Sequence, residues 1–133
     1  TTILIWIIFL SDLFGQTNDN KLKITHLVGD FYVFTTFRDF KGTPFPSNGL
    51  YVVTNDGVVL IDTPWDTTQF QVLLDSIKIK HNKNVVMCIA THSHEDRTGG
   101  LEYYHQQGIK TYTTVQTDYH PTRLPDHHSN LIT

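Results

Sequence analysis

The chain has 133 residues, a formal net charge of −3 and 39% hydrophobic residues. That size and apolar content describe one globular domain with a modest core and argue against intrinsic disorder. No large basic run points to nucleic acid or an anionic membrane surface as partner, and a single cysteine, Cys88, excludes an intrachain disulfide.

Residues 2–10, TILIWIIFL, form an uncharged apolar run too short to cross a bilayer unaided. A polar stretch follows at residues 16–20, and Gly15 offers a small residue for cleavage. Residues 1–15 therefore read as a partial signal peptide for export to the periplasm, not as a stable membrane anchor. A retained anchor and a buried strand are the alternatives. Position 1 is threonine and no basic leader precedes the apolar run, so the expectation is of a chain cut at its N-terminus.

Residues 22–28 and 30–37 are rich in aromatic and β-branched side chains, which suits strands. Residues 50–54 and 58–61 are two more strands, joined across Asn55-Asp56-Gly57, a sequence with hairpin chemistry. From Asp66 the period changes. Phe70, Leu73, Leu74 and Ile77 fall on one face of a helix ending near His81, with Asp66 and Gln69 as a capping pair. Residues 85–90 are continuously apolar, as in a strand buried on both faces, which makes Cys88 a buried thiol and not a reactive one. A second helix is expected from about Thr98 to just before Gly108, then a short strand over residues 109–113. The class is α/β (α+β), an antiparallel sheet followed by alternating helices and strands.

After the apolar strand, His92, His94 and Asp96 recur at every second position. Side chains two apart on an extended chain point the same way, so the three can converge. Imidazole and carboxylate are ligands that zinc accepts, and a site with few protein ligands leaves positions open for water. The same residues can equally form a solvated turn with a helix cap, and the spacing alone does not choose between the two. Their place at the C-terminal end of a buried strand, with a helix behind it, is where open α/β sheets put their sites.

His92-x-His94-x-Asp96, Gly99-Gly100, the segment Ile61-Asp62-Thr63-Pro64-Trp65 and the turn Ser47-Asn48-Gly49-Leu50 together resemble a class B metallo-β-lactamase over about residues 22–117. Arg97 stands where glyoxalase-type thioesterases of the same fold carry histidine, and makes the chain similar to subclass one, the di-zinc enzymes. The resemblance implies a four-layer αββα sandwich of which residues 16–117 supply the N-terminal half. It implies two Zn2+ per intact enzyme, the first held by His92 and His94 and the second by Asp96, which also acts as the catalytic residue that orients the attacking water. Asp62 and Arg97 would support the loop from behind the ligands; Asp62 as a plain cap of the turn after its strand is compatible with that. The implied activity is hydrolysis of the β-lactam amide bond of a small-molecule antibiotic, hence antibiotic resistance, by water acidified on zinc.

Residues 38–46 fall between two strands and read as a loop with exposed aromatics. The resemblance makes this a mobile flap, with Phe40 or Phe45 over an apolar part of the substrate and Trp65 on the wall; aromatics tucked into the core are the alternative. The family's remaining ligands, two histidines and a cysteine, are not recognisable after Asp96. Residues 118–133 read as a divergent or poorly ordered tail, in which His120, His127 and His128 are the substitutes on offer. The expectation is thus an enzymatic parent and a chain that is inactive alone and prone to self-association through an uncovered sheet face. Another hydrolase of the same fold and a non-enzymatic truncated product are the alternatives.

Overall fold

Among the described residues, seven strands lie side by side in chain order: β1 (Lys23–Val28), β2 (Phe31–Phe40), β3 (Thr43–Val53), β4 (Val58–Ile61), β5 (Val85–Ile89), β6 (Lys110–Thr114) and β7 (Asn130–Ile132). The computed structural model describes residues 22–114 and the backbone of 130–132. The expected signal peptide and tail residues 118–129, with His120, His127 and His128, lie outside the described residues. Among the described residues no helix is long and apolar enough to cross a membrane.

Strands β1 to β4 pair antiparallel, and β4 to β7 pair parallel. Parallel neighbours need a crossover. Between β4 and β5 it is a 3-10 turn (Thr67–Gln69) and α1 (Phe70–His81); between β5 and β6 it is α2 (Glu95–Thr98) and α3 (Leu101–Gln106). The expected single helix from Thr98 is thus two short ones that begin earlier and break at Gly99-Gly100.

Helix α1 follows its periodicity. Phe70, Leu73 and Ile77 are buried in one cluster with Val58, Leu60, Cys88, Leu101 and Tyr104. Asp66 caps its entry by accepting from Thr68 N at 2.8 Å. The expected Asp66–Gln69 capping pair does not form as a reciprocal box, because Gln69 Nε2 donates across to Phe37 O on β2 at 2.8 Å. Asn82, left-handed at φ 52°, ends the helix.

Strand β5 is not buried on both faces. The register between β4 and β5 slips at Val86, which is left 36% exposed, while Val85 and Cys88 stay in the core. Met87 and Ile89 are half-buried, as are Val59 and Ile61 beside them. The helices therefore cover one face, and the run of apolar residues reflects the bulge and a half-covered second face, not a fully buried strand.

Residues 38–46 are not a loop. Strands β2 and β3 stay paired as far as Phe40↔Thr43, and the chain reverses in two residues, Lys41 and Gly42, both at positive φ (54° and 79°). That is the twist a two-residue hairpin demands. The pair flanking such a turn is hydrogen-bonded, so Pro44 and Pro46 fall at the alternate positions, where the backbone nitrogen points away from the partner strand. The two prolines look like breakers in sequence and are tolerated for this reason. Likewise Ser47-Asn48-Gly49-Leu50 is not a turn but the middle of β3, where Gly49 gives room to the ring of Phe34 opposite.

Candidate metal centre

The parallel pairing of β4 and β5 brings their C-terminal ends together, and Asp62 N donates to Ile89 O at 2.8 Å. Strand β3 runs antiparallel to β4 with Leu50 opposite Ile61, so Asn48 and Ser47 lie just past the end of β4. Three segments thus meet: 47–48, 62–65 and 91–97.

His92, His94 and Asp96 come together there, each offering a ligand atom, all within 4.8 Å of one another. They do so by a different route from the one their spacing suggests. Strand β5 ends at Ile89, residues 91–94 bend, and Asp96 sits in the first turn of α2. The bend is fixed by its hydrogen bonds: Arg97 N and Thr98 N donate to His94 O at 2.9 and 3.0 Å, starting the helix as Asp96 is reached. The rings of His92 and His94 stand edge to face, 4.7 Å between centres.

Asp62 and Arg97 lie directly behind these residues. Asp62 Oδ1 accepts from Thr91 N and from Thr91 Oγ1, both at 2.8 Å, and Thr91 Oγ1 is 3.0 Å from His92 Nδ1. Arg97 reaches Asp62 Oδ2 at 3.9 Å and Asp96 Oδ2 at 3.5 Å, and donates through Nη1 to Asn48 O. One guanidinium thereby spans β3, the end of β4 and a candidate ligand, a task suited to a planar group with five donors. Asp62 does more than cap its strand.

Several contacts have no counterpart in the sequence reading. Ser47 Oγ donates to Asp96 Oδ2 at 3.2 Å. Glu95 Oε2 accepts from Arg38 Nη1 at 3.0 Å and Trp65 Nε1 at 3.3 Å. These partners are tens of residues apart, and only the strand register brings them together. Phe40 and Phe45 are 54% and 55% exposed, so they do not tuck into the core. Phe45 meets Trp65 edge-on at 6.3 Å. Burial raises the thiol pKa of Cys88, reinforced by the charge of Asp62, in keeping with an inert core residue.

The two exposed imidazoles and the half-buried carboxylate bring nitrogen and oxygen donors within 4.8 Å of one another, a donor set that fits a metal ion such as zinc.

Residues 42–130 match the profile of the metallo-beta-lactamase superfamily. The chain belongs to that superfamily, and its α/β sheet and helices are the N-terminal portion of the metallo-β-lactamase fold. It is 49% identical over 105 residues to a metallo-beta-lactamase type 2 of Elizabethkingia meningoseptica, covering 79% of this chain and 42% of that relative. It is 46% identical over 89 residues to metallo-beta-lactamase IND-1 of Chryseobacterium indologenes, covering 67% and 37%. The crystal structure of metallo-beta-lactamase IND-7 superposes with a TM-score of 0.70 at 43% identity, over 73% of this chain and 45% of that one. The chain spans about two fifths of the length of the curated relatives it matches.

Proposed function

We propose that these residues serve a zinc-dependent, exported hydrolase of the β-lactam amide bond, with a small-molecule antibiotic as substrate. The observation that carries the reading is the gathering of His92, His94 and Asp96 on a chain similar to proteins named metallo-beta-lactamase. In it His92 and His94 hold one zinc ion and Asp96 the second. Zinc bound there would supply Lewis acidity and bring the pKa of water towards neutrality. The chain's own part is orientation. Ser47 and Arg97 hold Asp96 by Oδ2, which leaves Oδ1 for the metal side. Asp62 holds Thr91, and through it His92. Trp65, Phe40 and Phe45 offer apolar surface to the substrate. The 133-residue chain by itself is expected not to turn over and to associate through its half-covered sheet face.

Grafting residues 22–114 into the Elizabethkingia relative in place of its matching segment tests this. Hydrolysis of a chromogenic cephalosporin with added zinc is expected, and loss of it in Asp96→Asn. A folded, zinc-binding graft that cleaves a thioester but not the cephalosporin would overturn the substrate class.

A further inference from the structure

The β2–β3 hairpin outruns its neighbours. Strand β1 pairs with β2 only up to Thr35, and β4 pairs with β3 only from Leu50. Among the described residues, 36–47 are therefore a two-stranded extension with no strand on either side, and such a ribbon is marginal on its own. Its direction must come from contacts at its base and along its length. At the base, Gln69 holds Phe37 O.

Further out, Arg38 and Phe45 are cross-strand partners, and both meet Trp65. The Arg38 guanidinium carbon lies 5.0 Å from the ring centre, and the Phe45 ring stands edge-on to it. A single oxygen, Glu95 Oε2, then accepts from both the Arg38 guanidinium and the Trp65 indole. Glu95 lies between His94 and Asp96 in sequence but is not part of the ligand group. A guanidinium satisfied on its face by an aromatic ring and at its edge by a carboxylate is held more firmly than by either alone.

The geometry points to Glu95 as a positioning residue that latches the β2–β3 hairpin to the ligand-bearing loop, and so sets where Phe40 and Phe45 stand relative to the metal side. The consequence for substrate rests on the proposed function; the latch itself is made by Arg38, Trp65 and Glu95 and calls on no metal.

Amide hydrogen exchange over residues 38–46 tests it in the full chain without zinc, so failure of the metal reading produces neither result. Glu95→Ala and Arg38→Ala should each speed exchange there about two- to fivefold, the scale of a partly exposed ion pair. The double variant should fall short of the sum of the two single effects, since the Arg38–Glu95 contact is lost in all three. Glu95→Gln, which keeps an acceptor for Trp65, should recover part of the protection, and amides of β4 and β5 should not change. Unaltered exchange in Glu95→Ala, or effects that add in the double variant, would overturn the latch.

Discussion

Thr91 turns both its backbone N–H and its hydroxyl to one oxygen of Asp62, and the same hydroxyl lies 3.0 Å from His92 Nδ1. A hydroxyl has one hydrogen to give, and the carboxylate takes it. The oxygen is then an acceptor for His92, so Nδ1 carries the ring hydrogen and Nε2 keeps a lone pair for a metal. A carboxylate at the end of β4 thus sets the tautomer of a histidine beyond the end of β5, an effect that depends on the two strands being parallel neighbours.

Thr91→Val keeps the shape and removes the relay. Long-range nitrogen–proton spectra of the imidazoles should show His92 protonated at Nδ1 in the wild type and shifted towards the Nε2–H form in the variant. Zinc affinity should fall by about tenfold, the lower end for partners that orient a ligand. An unchanged His92 tautomer would dismiss the relay.

Asp62 itself is tested by a pair of substitutions. Asp62→Ala leaves Thr91 without its acceptor and Arg97 without an ion-pair partner, and should cost about 1–3 kcal/mol in urea unfolding. Asp62→Asn keeps one acceptor oxygen, and asparagine tolerates the left-handed backbone found here (φ 70°) better than alanine does. It should therefore be the milder of the two, losing chiefly the attraction to Arg97; equal losses would mean that the acceptor is not what Asp62 contributes.

How much was legible beforehand follows from the range of each interaction. Helix α1 was readable because Phe70, Leu73, Leu74 and Ile77 carry its period in a dozen residues. His92, His94 and Asp96 are readable as candidate ligands because the motif is local, although the bend and helix turn that gather them are not. The hairpin at residues 38–46 is not legible in sequence because Pro44 and Pro46 signal a break unless the pairing register is known. Arg38–Glu95 and Ser47–Asp96 join residues 57 and 49 apart, and nothing near either partner in sequence announces the other.

Gly49 is a packing position. A Cβ built there would lie 2.0 Å from Cζ of Phe34, its cross-strand partner, which is fully buried. Gly49→Ala should destabilise by about 1–3 kcal/mol, as overpacking does, seen as a lower urea midpoint at unchanged slope. Adding Phe34→Leu should restore part of the loss, because the two residues share one space.

Cys88 should be silent to thiol reagents in the folded chain. It is fully buried, its thiol pKa is raised by burial and then by the charge of Asp62, and its Sγ is 3.8 Å from Asp62 O. Iodoacetamide at mildly alkaline pH is expected to label it only after denaturant is added. Rapid labelling of the native protein would contradict the packing around β5.

The far end of α1 carries a pH dependence of its own. The Tyr51 hydroxyl and His81 Nε2 are 2.9 Å apart, with Tyr32 stacked on Tyr51 and edge-on to His81. Burial, and after it the charge on Tyr32, pushes the Tyr51 phenol up, so it stays protonated and donates, which requires an unprotonated Nε2. A helix C-terminus favours an imidazolium, but here burial, followed by the Lys80 charge, outweighs it and holds the His81 pKa below its ordinary value. A folded pKa below the unfolded one means that the stabilisation is present above the unfolded value, about 6.5, and is lost as pH falls from there through the folded value. Urea midpoints taken between about pH 7.5 and pH 5 should therefore drop faster for the wild type than for His81→Gln, which keeps an acceptor and cannot titrate. Every other titrating group is common to both proteins, so parallel curves would show that His81 titrates alike in the folded and unfolded chain and would dismiss the proton dependence of its bond to Tyr51.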